Sequence, residues 1–221
     1  LDQNSQVVEE ASRRVTRIVR SLKAFAELDE AEFQEEVDVR EGLENALTLV
    51  ESRLPAGVEV VRELAAVPVI PCWPGELNQV FMNVLMNAIE AMEQAGRVGE
   101  GGADADETGR QGRIAVRTAA SDEAIFVVVA DQGKGIIPEH LGRVYDPGFT
   151  TKGTGVGMGL GLSTSYRTVQ KHGGRIRVES EVGQGTTVTI ELPRSGAQGL
   201  GHRVWGLGEA RCAVELSGEV R

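Results

Sequence analysis

The sequence has few aromatic residues and no excess of positive charge. Aromatic residues make up 4% of its 221 residues, so we expect a mostly aliphatic core. Lys and Arg number 23 against 33 Asp and Glu, and the resulting net charge of −10 argues against general nucleic-acid binding, which normally needs a basic surface. The shares of hydrophobic and charged residues, 41% and 25%, are typical of a globular protein.

Cysteines and long apolar runs are also scarce. Cys72 and Cys212 lie far apart without a CxxC pair, so we expect free thiols in a reducing compartment and neither a zinc site nor a disulfide framework. No apolar run approaches the roughly 18 residues of a membrane span, and the start, LDQNSQ, is unlike a signal peptide. Because the sequence does not begin with Met, we interpret it as a fragment, and a membrane-bound parent protein stays an open alternative.

Residues 6–28 carry a heptad-like pattern, within a first unit that we place at residues 1–30. Apolar residues recur there at alternating spacings of three and four: Val8, Ala11, Val15, Ile18, Leu22 and Phe25. This pattern is typical of a long coiled-coil-like helix with a narrow seam. Such a helix needs a partner in water, and a second copy of itself plus a missing upstream helix is the simplest candidate. Packing on its own domain is the alternative.

Residues 37–193 alternate between helical and strand patterns, which predicts an α+β domain. Helices are predicted over 41–53, over 74–95 and after residue 161. Strands are predicted over 37–39, 58–61, 67–70, 113–118, 125–130, 175–180 and 186–192. Residues 96–112 are predicted to form a mobile loop, and residues 194–221 a disordered tail without an assigned function.

The predicted helix over 74–95 carries a row of carboxamides beside its apolar stripe. Gln79, Asn83 and Asn87 recur at every fourth position, although asparagine is a mediocre helix former. Their carbonyl oxygens could meet a hard cation such as Mg²⁺ and its waters in a cleft. Solvated or capping amides are the alternative interpretation.

A second motif follows the apolar strand over 125–130. It reads DQGKGI, from Asp131 to Ile136, and places a carboxylate at the strand end with glycines two and four residues later. The glycines would let a flat ring approach the backbone, where Asp131 could accept a hydrogen bond from an exocyclic amine. A plain DxG turn is the alternative.

The third motif spans residues 146–163 and reads DPGFTTKGTGVGMGLGLS. It contains Lys152 and six glycines: Gly148, Gly153, Gly155, Gly157, Gly159 and Gly161. Successive backbone N–H groups, together with the start of the following helix, can form a cradle for a polyphosphate. A flexible glycine linker is the alternative, but it does not explain the apolar periodicity of that helix.

Five features occur in one order along the chain, and together they resemble one family. They are the carboxamide helix, the DxGxGI turn, the DPxFTTK segment, the GxGxGLGLS loop and a GxGTT sequence near residue 185. It is the ATP-binding catalytic domain of sensor histidine kinases, in the superfamily that includes gyrase, mismatch-repair ATPases and heat-shock chaperones. The resemblance covers about residues 37–193 and implies the Bergerat fold. That fold is a two-layer α/β sandwich with a mixed sheet and helices on one face. The N-terminal helix resembles the second helix of the family's dimerisation and phosphotransfer hairpin.

The resemblance also implies the site residues and their ligands, ATP and Mg²⁺. Asn87 would bind Mg²⁺ with Asn83 as a supporting metal ligand, and Asn83 and Lys152 would form the catalytic set. Asp131 would bind the adenine by a hydrogen bond, and Thr186 would help it to hold the base. The nucleotide-binding residues that it implies are Asn87, Asp131, Gly133, Gly135, Ile136, Phe149, Thr151, Gly157, Gly159, Leu160, Gly161, Leu162 and Thr186.

The implied reaction is transfer of the ATP γ-phosphoryl group to a histidine. ATP-hydrolysing branches of the superfamily carry a water-activating glutamate at the position of Asn83, and an amide cannot take up a proton. None of His140, His172 and His202 lies on the N-terminal helix, so we expect the acceptor upstream of Leu1. The implied partners are a response regulator and a second copy of the N-terminal helix. The implied location is cytoplasmic, with a membrane involved only through other parts of the parent.

The sequence leaves three other functions open. A superfamily ATPase with another base would release phosphate steadily. An anti-sigma-type serine kinase shares these motifs, but the heptad helix disfavours it. A nucleotide-binding dimer module that signals by conformation alone would fail to phosphorylate a supplied upstream helix.

Overall fold

The computed structural model describes residues 33–95, 112–150 and 161–195. The helices in these ranges are α1 (Val39–Val50), α2 (Pro74–Gln94), α3 (Pro138–Leu141) and α4 (Gly161–Lys171), with a 3₁₀ turn at Glu51–Arg53. The strands are β1 (Gln34–Val37), β2 (Val58–Leu64), β3 (Ile70–Cys72), β4 (Gly112–Ala120), β5 (Ala124–Asp131), β6 (Arg175–Glu181) and β7 (Gly185–Pro193). The predicted N-terminal helix, most of the predicted mobile loop and nearly all of the tail lie outside the described residues.

Five strands form one mixed sheet in the order β2-β4-β5-β7-β6. The β2–β4 pair is parallel and the other neighbours are antiparallel. The central strand β5 is the apolar run that the sequence singled out, and alternate residues of it are buried. Its last residue, Asp131, stands opposite Thr186, the second residue of β7.

Helices α1, α2 and α4 cover one face of this sheet, as the sequence predicted for a two-layer sandwich. The core between the layers is mostly aliphatic, with Phe81 as its one buried phenylalanine among the residues described. Helix α2 begins with Pro74, which suits the first turn because its missing N–H would have no helical partner there. From that point its apolar stripe runs along the sheet for 21 residues.

The two segments before α2 differ from the prediction. The first strand is β1, Gln34–Val37, and not 37–39, because Asp38 caps α1: its carboxylate accepts from the Arg40 N–H at 3.0 Å. The strand expected over 67–70 is Ile70–Cys72, and it pairs with β1 in a separate two-stranded sheet. Proline at positions 68 and 71 removes two backbone donors, which keeps this segment out of the main sheet.

Cys72, the last residue of β3, is fully buried and is a free thiol. Burial raises the pKa of its thiol to about 12, so the thiol is unreactive near neutral pH. The described residues contain no helix long and apolar enough to cross a membrane.

Candidate functional site

A cavity of about 550 Å³ lies between α2, the start of α4 and the ends of β5 and β7. This volume is within the range of small-molecule sites. Nine residues that the sequence analysis proposed line it: Asn83, Asn87, Asp131, Gly135, Ile136, Phe149, Gly161, Leu162 and Thr186. Residues that come from four separate stretches of sequence therefore meet in one place.

The remaining proposed residues do not line this cavity or cannot be located. Gly133 faces the backbone of Ala91 on α2, where a Cβ would approach the Ala91 carbonyl carbon to 2.7 Å. Its role is thus to let the turn pack on α2 and not to clear space for a ligand. Thr151, Lys152, Gly157, Gly159 and Leu160 lie outside the described residues, and their roles stay predictions.

Asp131 is held at the end of β5 by two backbone amides. Its Oδ1 accepts from Gly133 N–H at 2.8 Å and from Thr186 N–H at 3.3 Å. Both bonds end on Oδ1, so within the described part of the chain Oδ2 is the acceptor left for a ligand. Burial raises the pKa of Asp131 to about 6, and the two amides oppose that rise only in part.

A hydroxyl pair fixes the neighbouring strand ends. Ser180 Oγ accepts from the Ile136 N–H at 2.9 Å and lies 2.7 Å from the Gly185 carbonyl oxygen, to which it donates. Because the Ser180 proton is used there, the 2.9 Å contact with Thr186 Oγ1 has Thr186 as its donor. Thr186 then presents only lone pairs to the cavity, so it accepts hydrogen bonds from a ligand. Ser180 was not among the predicted residues, because a serine in an alternating strand gives no signal.

Two glycines allow these strand ends to approach each other. Gly185 has φ of +113°, and a Cβ there would overlap the Asp131 carbonyl oxygen. Gly135 has φ of +71°, and a Cβ there would overlap the Glu181 carbonyl oxygen. Only glycine satisfies both the left-handed backbone and the close contact at each position.

The two asparagines of α2 have different environments. Asn83 donates from Nδ2 to the Gly161 carbonyl at 3.2 Å and to Ser165 Oγ at 3.3 Å. Its Oδ1 accepts from Gln79 Nε2 at 3.0 Å. Asn83 therefore ties α2 to the first turn of α4, and this use argues against the predicted role as a direct metal ligand.

Asn87 lines the same cavity one turn later and is half-buried. Among the described residues its side chain has no hydrogen-bond partner. A carboxamide that lines a cavity and has no protein partner can offer its oxygen to a cation or a water. The described residues contain no group of three or more His, Cys, Asp or Glu side chains that could hold a metal by themselves.

Lys134 is a cation in the cavity wall that the sequence analysis did not single out. Its backbone is clamped on both sides: its N–H donates to the Ala91 carbonyl at 3.2 Å, and its carbonyl accepts from Gly183 N–H at 2.9 Å. Its half-buried side chain lines the cavity and forms no ion pair with another described residue. The sequence feature that could have identified Lys134 is its position between the two glycines of the DxGxG turn.

Phe149 lies at the edge of the cavity and is packed between two side chains. The His140 ring contacts it edge-on at 5.2 Å between centroids, and the Arg143 guanidinium lies 4.6 Å from its ring centre. This packing anchors the end of the second described range just before the glycine-rich stretch. The cavity thus has apolar walls suited to a flat ring and polar groups at both ends.

Comparison with known proteins agrees with this geometry. A family model described as "Histidine kinase-, DNA gyrase B-, and HSP90-like ATPase" matches residues 74–196. The chain belongs to this family. The match includes α2, the DxGxGI turn, α4 and strands β4 to β7, which are the elements that build the cavity.

Relatives within this family are sensor histidine kinases. ZraS of Escherichia coli strain K12 is 32% identical over 193 residues, which cover 86% of this chain and 37% of ZraS. The mycobacterial sensor histidine kinase MprB superposes with a TM-score of 0.58 at 27% identity, covering 73% of this chain and 98% of that one. Full-length ShkA in complex with AMPPNP gives a TM-score of 0.60 at 25% identity, over 89% of this chain and 40% of ShkA.

These comparisons confirm the predicted family and fold. The chain carries the ATP-binding catalytic domain of sensor histidine kinases, and this domain is a mixed sheet with helices on one face. The chain spans 37% of the length of ZraS.

Proposed function

We propose that the chain binds Mg·ATP in this cavity and transfers the γ-phosphoryl group to a histidine outside residues 1–221. The observation that carries the proposal is the cavity itself, which brings together Oδ2 of Asp131 and the amide of Asn87, two groups without a hydrogen-bond partner among the described residues. The AMPPNP bound to ShkA, a relative of the same fold, supports a nucleotide as the ligand.

In this proposal the adenine occupies the end of the cavity near β5 and β7. Oδ2 of Asp131 accepts from the exocyclic amine, and Thr186 Oγ1 accepts directly or through a water. The apolar wall, which includes Ile136, Val129 and Val188, contacts the faces of the ring. A ligand that lacks an amine at this position would leave the buried carboxylate without a donor, which typically costs about 1–3 kcal/mol.

The phosphates then lie toward Asn87, where the donor set fits Mg²⁺ only in part. Mg²⁺ usually keeps several waters and is completed by substrate phosphates, so one amide oxygen is a suitable protein contribution. We infer that the metal binds together with the nucleotide and not before it. When bound, Mg²⁺ neutralises the charge that develops on the β- and γ-phosphates.

The groups around Asn87 favour a nitrogen nucleophile over water. Asn83, one turn before it, is an amide engaged with Gln79 and Gly161 and cannot accept a proton from water. A neutral imidazole needs no such base to attack. Its ring nitrogen forms the N–P bond as the γ-phosphorus separates from the β–γ bridging oxygen, and ADP leaves with that electron pair.

The histidines that can be located support an acceptor elsewhere. His172 is 2% exposed and uses both ring nitrogens in hydrogen bonds, so it cannot reach a phosphate. His140 packs against Phe149 on the short helix α3. His202 lies outside the described residues.

We further propose a response regulator as recipient of the phosphoryl group, a homodimer formed through the N-terminal helix, and a cytoplasmic location, where ATP is available.

Calorimetric titration of Mg·ATP tests the binding step. The chain should give a saturable isotherm that returns to baseline after each injection. Asp131→Asn should weaken binding by about 100-fold, since an amide N–H then replaces the acceptor at Oδ2 and faces the adenine amine. The matched control Asp122→Asn changes an exposed aspartate in the β4–β5 turn and should bind as the original chain does.

Labelled ATP tests the transfer step. The chain alone should acquire no label, and the parent protein's upstream segment, added as a separate polypeptide, should become labelled on histidine. Continuous phosphate release without any acceptor would indicate an ATPase instead. Binding without label on the supplied segment would favour the conformational module.

A further inference from the structure

Ser180, on β6, connects three groups at the β5–β7 end of the cavity. Its Oγ accepts from the Ile136 N–H at 2.9 Å, and it lies 2.7 Å from the Gly185 carbonyl oxygen and 2.9 Å from Thr186 Oγ1. Ile136 and Thr186 line the cavity, whereas Ser180 does not. Any effect of Ser180 on a bound ligand therefore passes through its neighbours.

The hydroxyl proton of Ser180 has one position that satisfies all three contacts. Two oxygens 2.7 Å apart need a proton between them, and a carbonyl has none to give, so Ser180 donates to Gly185. The two lone pairs of Ser180 then accept from the Ile136 N–H and from the Thr186 hydroxyl. If Ser180 donated to Thr186 instead, its lone pair would face that of the Gly185 carbonyl at 2.7 Å, which is repulsive.

The backbone around Ser180 holds this arrangement in place. Ser180 and Thr186 are paired residues of β6 and β7, and the Thr186 N–H donates to Asp131 Oδ1 at 3.3 Å. Gly185 packs so closely on Asp131 that a Cβ would overlap the Asp131 carbonyl oxygen. The direction of the hydrogen bond from Thr186 to Ser180 is thus fixed by the strand ends themselves.

We propose that Ser180 is a positioning residue that makes the cavity select a 6-amino purine over a 6-oxo purine, by holding the Thr186 hydroxyl as an acceptor. This inference rests on the proposed function, since it concerns the base of the nucleotide bound there. With its proton turned toward Ser180, Thr186 offers only lone pairs to the substituent at C6, as does Oδ2 of ionised Asp131. An amino group can donate to both, whereas an oxo group would face two acceptors with lone pairs of its own.

Calorimetric titration of Mg·ATP and Mg·ITP at pH 8 tests this proposal. The two nucleotides carry the same ribose and phosphates, and their purines differ in the amino or oxo group at C6. Asp131 is ionised at this pH, because burial raises its pKa only to about 6. In Ser180→Ala the released Thr186 hydroxyl can donate to the oxo group. The preference for ATP, measured as the ratio of the two dissociation constants, should therefore fall at least about fivefold.

A double-mutant cycle separates this role from a purely structural one. Thr186→Val keeps the shape of the side chain and removes the hydroxyl through which Ser180 acts. In that background, Ser180→Ala should change the ratio less than twofold. Loss of the strand-end hydrogen bonds alone would weaken both nucleotides alike, with or without the Thr186 hydroxyl.

Two further variants serve as controls. Ser180→Thr keeps the hydroxyl and should retain the ratio within twofold. Ser121→Ala removes a serine hydroxyl that binds backbone groups of the β4–β5 turn, outside the cavity, and should leave both affinities unchanged. Circular dichroism checks the folding of each variant. Ser180→Cys, whose sulfur accepts hydrogen bonds only weakly, should also lower the ratio and replaces Ser180→Ala in the test if that variant does not fold.

The outcomes distinguish failure of this proposal from failure of the proposed function. Absence of Mg·ATP binding by the unmodified chain would overturn both. Normal Mg·ATP binding with an unchanged ratio in Ser180→Ala would overturn only the role of Ser180. An equal fall of the ratio in the Thr186→Val background would do the same, because Ser180 would then act without Thr186.

Discussion

Helices α2 and α4 run antiparallel, and the two ends of this pair are built in opposite ways. At the start of α2 and the end of α4, polar groups are paired within the protein. His172 Nε2 accepts from the Trp73 N–H at 3.1 Å, His172 Nδ1 lies 2.8 Å from the Thr168 carbonyl oxygen, and Lys171 pairs with Glu76 at 2.6 Å. At the cavity end, Asn87, Lys134 and Oδ2 of Asp131 have no partner within the described ranges.

The difference separates the residues that hold the domain together from those that await a ligand. The paired end is also closed by aromatic contacts: the Trp73 ring meets His172 edge-on at 5.2 Å and Phe33 at 4.9 Å, and Lys171 Nζ lies 4.0 Å from its centre. Substitutions there should change stability and leave nucleotide affinity alone. Substitutions at the cavity end should lower nucleotide affinity and leave stability nearly unchanged. Asn83 should affect both properties, because it joins the two helices.

The largest expected effect is on stability, at His172. His172→Ala should lower the free energy of unfolding by about 2–3 kcal/mol, since it leaves a cavity and an unpaired Trp73 N–H. His172→Gln, whose oxygen can take the place of Nε2, should lose less than His172→Asn. Chemical denaturation measures both, and ATP affinity measured in parallel should stay within twofold. A loss of affinity as large as the loss of stability would contradict the division between the two ends.

His172 should also make the stability of the protein depend on pH. Burial lowers the pKa of His172, so the unfolded state takes up the proton first as pH falls. The contribution of the neutral ring to stability is full above pH 6.5 and is lost as pH falls below it. His172→Gln should remove this part of the pH profile of the denaturation midpoint.

At the cavity end, Asn87 separates the binding of the metal from the binding of the base. Asn87→Ala should weaken Mg·ATP binding tenfold or more, since it removes the proposed protein ligand of the metal. It should leave adenosine affinity and thermal stability nearly unchanged, because the side chain has no partner in the described part of the protein. Asn87→Asp should restore most of the Mg²⁺-dependent binding. Equal losses for adenosine and Mg·ATP would show that Asn87 does not act through the metal.

The next effect is on the pH dependence of adenosine binding, through the carboxyl group of Asp131. Its pKa of about 6 means that roughly a tenth of the carboxyls are ionised at pH 5, so adenosine should bind about tenfold more weakly there than at pH 8. Adenosine is the suitable ligand because it carries no titrating phosphate. The same raised pKa favours folding at low pH, and that contribution is lost as pH rises through 6. A flat affinity profile between pH 5 and 8 would show that Asp131 does not accept from the base.

The smallest expected effect is at Lys134. Lys134→Met should weaken ATP binding about three- to fivefold and adenosine binding hardly at all, because a half-buried cation acts on the phosphates at short range. Arg53→Met removes the same charge from an exposed turn outside the cavity and serves as the control. Comparing adenosine, AMP, ADP and ATP identifies the phosphate at which the loss appears. An equal loss for adenosine would place Lys134 against the base or the ribose instead.

Much of the site was predictable because each motif has a local physical signature. The carboxamide row on α2, the DxGxGI turn after a buried strand and the glycine-rich stretch before α4 are patterns within a few residues. The roles of Ser180 and His172 were not predictable in this way. Ser180 acts through Ile136, 44 residues earlier, and His172 acts through Trp73, 99 residues earlier. His172 bonds the Thr168 carbonyl at its own helix end, and it also accepts from the Trp73 N–H at the start of α2.

The sequence by itself determined most of the elements, the family and most of the polar residues that meet in the cavity, because periodicity and short motifs depend on neighbouring residues. Only the tertiary structure decided which of these polar groups are used up inside the protein. Asn83 and Asn87 look alike in the sequence, one turn apart on the same helix. They differ because α4 packs against Asn83 and supplies its hydrogen-bond partners, whereas Asn87 faces open space, and a contact between distant segments is not encoded in any local pattern.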